Sequence, residues 1–197
     1  MSPADPGYAE RRLRAENAWW KRLLDVQRPY RAHLRNLRLG LVLEVGCGIG
    51  RNLGHLRGTS VGVDPDQRAV EIARGRGLKA FTAEELRASP WATPGRFDSL
   101  LFSHALEHMR AAQATELVRG YLDLLADAGR VVAVTPQEAG FRSDPTHVEF
   151  MDFDAVEGVL RGAGLHVQAQ YSFPLPRLAG TLFKYNEFVT IARKPVR

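Results

Sequence analysis

Short apolar runs alternate with amphipathic stretches along most of the chain. The runs at 41–45, 60–63, 78–81, 97–102 and 130–134 are apolar at most positions, the pattern of strands buried on both faces. Between them the spacing is helical. In 111–126, Leu117, Tyr121, Leu124 and Leu125 share one face, and Gly129 ends the pattern. This alternation predicts a parallel sheet covered on both sides by helices. Another helix is expected over 154–161, with Asp152 as its cap and Gly164 past its end. The last two apolar runs, 165–173 and 187–193, are separated by "PLPRLAGTLFKY", which holds no helix pattern. A crossover is therefore not expected, and an antiparallel pair at the sheet edge is favoured. Ahead of the first strand, Leu13, Trp20, Leu24, Leu34 and Leu37 recur at near-helical spacing, with Pro29 as an interruption, which predicts two successive helices.

With 197 residues, 45% of them hydrophobic, the chain suits one domain with a full core. We divide it into an N-terminal helical cap segment, 1–40, and a main unit, 41–197. The N-terminus lacks an apolar signal region, and no run approaches the roughly 20 apolar residues of a membrane span, so a soluble, cytoplasmic protein is expected. The lone Cys47 excludes an internal disulfide framework and reads as a space-filler between glycines. Charge is uneven. Residues 1–40 hold nine Arg and Lys against four Asp and Glu, whereas 41–197 hold 18 of each. Such a basic face suits nucleic acid, anionic lipid or an acidic substrate, and equally a solvated helix face; no stable nucleic-acid partner is expected.

The chemistry concentrates at "LVLEVGCGIGRNL". Gly46, Gly48 and Gly50 fall at every second position, following an acid, Glu44, inside the first strand. Three glycines in five residues imply backbone held close against something, and the carboxyl end of a strand in an open α/β sheet is where ligands bind. The dinucleotide fingerprint G-x-G-x-x-G does not match, because position 51 is Arg. A carboxylate at Glu44 would also oppose a pyrophosphate and favour a cationic ligand such as an ammonium or sulfonium.

Here the sequence resembles the class I S-adenosylmethionine-dependent methyltransferases, whose first motif reads acid-x-G-x-G-x-G, over roughly 41–194. The resemblance implies a Rossmann-like, seven-stranded, mostly parallel sheet with an antiparallel last strand, helices on both faces and an N-terminal helical cap. It implies S-adenosyl-L-methionine as cofactor and S-adenosyl-L-homocysteine as product. By the same resemblance Asp64 in "VGVDPD" takes the ribose hydroxyls, with Pro65 shaping the turn under the adenine. Ala83 and Glu84 match the adenine-side signal after the third strand, where Thr82 replaces the usual Asp, and Ser103 and His104 close the fourth strand at its cofactor end. Arg51 and Asn52 are candidates for the methionine carboxylate, or ordinary first-turn residues.

Transfer to a hydroxyl acceptor needs a base. In "SHALEHM", His104, Glu107 and His108 stand at i, i+3 and i+4, on one face if helical. The connection "TPQEAGFRSDPTHVEFMD" reads as a lid or substrate loop carrying His147. His147 is the first choice for the base and His104 the second. H-x-x-E-H also matches an inverted zinc-peptidase motif, a reading that leaves the Glu44 loop without purpose. Ubiquinone-pathway O-methyltransferases carry Glu-x-x-Glu-His here, proposed to hold magnesium. His104 in place of the first Glu weakens that inheritance and leaves a softer metal open. The expected function is methylation, O-methylation above other kinds, of a small-molecule or amphiphilic acceptor, with Tyr30, Trp19 or Trp20 lining its pocket. The alternatives are a nicotinamide-dependent oxidoreductase and a basic nucleic-acid-binding module with a vestigial loop.

Overall fold

The computed structural model describes residues 28–195. Trp19, Trp20 and the first of the two expected N-terminal helices lie outside the described residues. The second is α1, Arg28–Asn36. Pro29 sits in its first turn, where the missing N–H breaks no helical bond.

Seven strands form one sheet in the order β3-β2-β1-β4-β5-β7-β6. They are β1 (Val42–Val45), β2 (Ser60–Val63), β3 (Ala80–Phe81), β4 (Phe97–Ser103), β5 (Leu125–Pro136), β6 (His166–Phe173) and β7 (Glu187–Arg193). β1 to β5 pair in parallel, and β7 lies antiparallel between β5 and β6. Between β1 and β5 run α2 (Arg51–His55), α3 (Gln67–Gly75), α4 (Ala83–Ala88) and α5 (Ala111–Arg119); after β5 come α6 (Glu138–Arg142) and α7 (Phe153–Gly162).

The period-2 alternation of the strands sorts side chains between two cores. Leu43, Val45, Val61, Val63, Leu100, Phe102, Val131 and Ala133 face one way, against Leu86 of α4, Ala114 and Val118 of α5, and Val156, Val159 and Leu160 of α7. Val42, Leu101, Val132 and Val134 face the other way, with Leu34 of α1 and with Leu56 just past α2. Cys47 packs in a smaller cluster with Leu53, Val70 and Ala73, its Sγ over Gly62, as its reading as a filler expects. Burying one such large apolar side chain contributes about 1.5–3 kcal/mol.

Two element boundaries differ from the sequence pattern. The helix expected over 111–126 stops at Arg119, where Gly120 forms the C-cap, and Leu125 instead pairs with Phe97 as the first residue of β5. The register then jumps to Ser99 opposite Arg130, so 126–129 bulge out of the ladder. The third strand keeps only Ala80–Phe81, because Leu78 turns aside to pack against Gly50.

Candidate functional site

The chain places the sequence-selected residues along one rim, at the carboxyl ends of β1 to β5. Glu44 is the third residue of β1, on the Val42 face, and is only 2% exposed. The side-chain amide of Asn52, in the first turn of α2, donates to its Oε1 at 2.8 Å. Asn52 thus holds one oxygen of the acid from the first turn of α2. Arg51 opens α2, close enough to Tyr30 to act on it electrostatically.

Gly46, Gly48 and Gly50 all have positive φ, 80°, 52° and 82°, a region that strains any residue with a Cβ. Their surroundings differ. A Cβ at Gly46 would meet the Cβ of Ala105 at 2.9 Å, and one at Gly50 would meet Leu78 Cδ1 at 2.5 Å, whereas one at Gly48 meets nothing within 4 Å. Two glycines are therefore pressed against the protein's own side chains, and Gly48 presents its bare backbone to open space. Asp64, at the end of β2, accepts from the Gly48 amide at 2.7 Å through Oδ2 and from the Asp66 amide at 2.9 Å through Oδ1. Each oxygen has a second lone pair, so a vicinal diol can bind without breaking these bonds. Pro65 is exposed in the adjoining turn, and Ser103 is half-buried at the end of β4.

After β3, Thr82 is a helix cap. Its hydroxyl accepts from the Glu85 amide, and Glu85 accepts in return from the Thr82 amide, a capping box over α4. Ala83 and Glu84 lie exposed in the first turn of that helix. The T-x-x-E spacing of Thr82 and Glu85 is the sequence signal for this box.

Beyond β4 the string "HALEH" does not form an α-helix. His104 takes a left-handed φ of 55°, and Leu106–His108 make a single 3-10 turn, so the positions of the three polar groups are not set by α-helical spacing. His104 Nε2 lies 2.8 Å from Glu187 Oε1 and its Nδ1 lies 3.2 Å from Glu107 Oε1. Burial opposes charge on this ring, but Glu187 and Glu107 together outweigh it and raise its pKa to about 10. An imidazolium that donates from both nitrogens has no lone pair to offer. That geometry corrects the second choice for a base: His104 is an ion-pair partner.

Glu107 is fully buried. Burial works to raise its pKa, yet the bond to His104 and the histidine charges around it win, and it is held below the usual carboxylate range. Its Oε2 has no hydrogen-bond partner among the described residues. His147, from the loop after β5, lies with Nε2 4.0 Å from Glu107 Oε1, while its Nδ1 is 2.8 Å from the Phe141 carbonyl. A carbonyl only accepts, so Nδ1 carries a proton, and in the neutral ring Nε2 carries the lone pair. His108 is held the same way, with Nδ1 donating to the Thr146 carbonyl at 3.1 Å, and burial lowers its pKa. His104 and His147 thus do not meet directly; each approaches Glu107.

The expected lid loop is a packed element. The amides of Val148 and Glu149 both donate to the Glu107 carbonyl, Thr135 donates to the Met151 carbonyl, and Phe141 stacks on His147. Gln137 and Asn186, both fully buried, bond to each other and tie this loop to the one between β6 and β7. On the far side Tyr30 donates to the Tyr185 carbonyl and meets Phe173 edge-on. Sequence reasoning missed Glu187. An acid opening an antiparallel last strand must sit beside the carboxyl ends of the parallel ones, and Glu187 indeed pairs with Pro136.

The family match agrees with this arrangement. A family model described as a methyltransferase domain matches residues 13–170, well over half of the chain. An uncharacterized methyltransferase of Bacillus cytotoxicus is 25% identical over 167 residues, covering 80% of this chain and 74% of the relative. A SAM-dependent methyltransferase from Archaeoglobus fulgidus shares the fold with a TM-score of 0.66 at 19% identity, over 87% of this chain and 99% of its own. Magnesium protoporphyrin IX methyltransferase from Synechocystis PCC 6803, solved with bound SAH, does so with a TM-score of 0.58 at 16% identity, over 84% of this chain and 80% of its own. Among the described residues no helix is long and apolar enough to cross a membrane. The chain belongs to the class I S-adenosylmethionine-dependent methyltransferase family.

Proposed function

We propose that this enzyme transfers the methyl group of S-adenosylmethionine to an oxygen of a small or amphiphilic acceptor, in a unit formed by 41–197 and capped by 1–40. The observation that carries the cofactor site is the Gly48 backbone, open to a ligand while Asp64 braces it from one side and the buried Glu44 stands behind it. Glu44, oriented by Asn52, pairs with the ammonium of the methionine part, and Arg51 takes its carboxylate. Asp64 accepts the ribose hydroxyls. Pro65, Ala83 and Glu84 border the adenine, and Ser103 closes the floor at the end of β4. When bound, the cofactor supplies an electrophilic methyl on a sulfonium.

The protein's main contribution is to hold the acceptor oxygen in line with that methyl, which can lower the barrier by as much as about 7–11 kcal/mol. His147, its tautomer fixed by the Phe141 carbonyl, takes the acceptor's hydroxyl proton at Nε2, a step worth roughly 10²- to 10⁴-fold. An amphiphilic acceptor is supported by the exposed apolar side chains of the β6–β7 connection, Leu175, Leu178, Leu182 and Phe183, on a loop that leads straight into Glu187.

The test is incubation with methyl-labelled S-adenosylmethionine and fractionated hydroxylated metabolites. Label is expected in an ether or ester of one fraction, with the rate falling at least about 100-fold in His147→Ala. Silence across all fractions counts against the reading.

A further inference from the structure

We propose that Glu107, His108 and His147 form a binding site for a single divalent transition-metal ion, of the zinc, cobalt or iron type.

One potential ligand atom from each residue lies within 4.8 Å of the other two. Ligands bonded to such an ion at about 2.0–2.2 Å stand roughly 3–3.5 Å apart, so modest tilts of the rings close the site. The residues are already locked to one another. Glu107 and His108 share the 3-10 turn after β4, His147 belongs to the loop after β5, and the Val148 and Glu149 amides fasten that loop to the Glu107 carbonyl.

Two further features point to an ion. Both histidines donate Nδ1–H to backbone carbonyls, those of Thr146 and Phe141, which fixes the tautomer whose Nε2 binds metals and sets the ring planes. Glu107, fully buried, keeps an Oε2 with no hydrogen-bond partner among the described residues, an expensive arrangement that a cation relieves. Two nitrogens and one oxygen suit borderline ions and disfavour magnesium and calcium, which prefer oxygen. Three protein ligands leave positions for solvent or an acceptor oxygen.

This differs from the set suggested by the linear string. His104 is excluded because its nitrogens face Glu187 and Glu107, and His147 enters from a loop that no helical spacing could include. Binding of the ion stands on these contacts alone. Its role rests on the methyl-transfer reading: with the ion bound, His147 Nε2 is a ligand and no longer the base, and the ion would acidify the acceptor hydroxyl, whose proton passes to solvent.

The experiment strips the full chain with a chelator and titrates it with cobalt(II), reading visible absorption bands and, after gel filtration, metal content. One cobalt per chain is expected, displaced by zinc and undisturbed by excess magnesium. Glu107→Gln and His147→Ala should each weaken binding about 10- to 100-fold or more, and His166→Ala, exposed on β6, should bind as the parent does. If a variant does not fold, the parent titration still decides: absent bands overturn the site, as does unchanged binding in a folded His108→Ala/His147→Ala protein. S-adenosylhomocysteine binding is measured on the same samples. In the parent, absent metal binding with S-adenosylhomocysteine binding intact sinks this inference alone, and the reverse sinks the cofactor reading alone.

Discussion

Asp64 and Gly48 are joined by a 2.7 Å hydrogen bond from the Gly48 amide to Asp64 Oδ2. The end of the second strand thereby holds the tip of the loop that follows the first. The three loop glycines consequently have separable jobs. Gly48→Ala adds a methyl facing open space and should cost about 1–2 kcal/mol for its left-handed backbone, staying folded. Its S-adenosylhomocysteine affinity should nonetheless fall tenfold or more. Gly46→Ala and Gly50→Ala add collisions with Ala105 and Leu78 and should lose more stability. Thermal unfolding and ligand titration of the three variants separate the effects.

Asn52 touches Glu44 at 2.8 Å, so its part in binding is to orient a carboxylate. Hydrogen bonds to charged groups are worth about 1.5–3 kcal/mol. Asn52→Ala is therefore expected to weaken S-adenosylhomocysteine roughly tenfold. Unchanged affinity in a calorimetric titration would show that Glu44 needs no such support.

Thr82 caps α4 by a reciprocal bond with Glu85. Thr82→Ala should cost about 1 kcal/mol of stability with cofactor affinity unaltered, and Thr82→Asp, which keeps a capping acceptor, should unfold like the parent. A large affinity loss in Thr82→Ala would place the hydroxyl at the adenine instead.

The His104 ion pairs make stability depend on pH in a defined way. The folded pKa of about 10 lies above the ordinary 6.5, so this histidine's contribution is complete below pH 6.5 and is lost as pH rises through 10. Glu107 is depressed below 4.5, so its contribution is present above pH 4.5 and disappears as the solution is acidified through its folded value. His104→Gln strands a buried carboxylate and should cost about 3–5 kcal/mol at pH 7, while abolishing the alkaline decline. Melting temperatures from about pH 3 to 10.5 check both slopes.

What could be read in the chain depended on how local the cause was. Ser60–Val63 matches its strand residue for residue, since an apolar run bounded by turns leaves few choices. The glycine loop was legible because glycine adopts those backbone angles at the least cost. Leu124 and Leu125 misled because they continue the helical spacing of Leu117 and Tyr121, whereas the pairing of Leu125 with Phe97 depends on a partner 28 residues away. His104 was misjudged for the same reason. One of its carboxylates, Glu187, lies 83 positions later, and no local rule foresees a left-handed histidine. Pro29, expected as an interruption between two helices, lies inside the first turn of α1, which begins at Arg28, and the helix expected before it falls outside the described residues.

The central claim is that a buried carboxylate behind an open glycine backbone receives a cationic nucleoside. Isothermal titration of S-adenosylhomocysteine into the parent and into Glu44→Gln tests it most directly, with NADH as the competing ligand. The account predicts one site in the parent, at least tenfold weaker binding in the variant, and no heat from NADH. Equal affinity in both proteins, or NADH binding with no response to the homocysteine nucleoside, would contradict it.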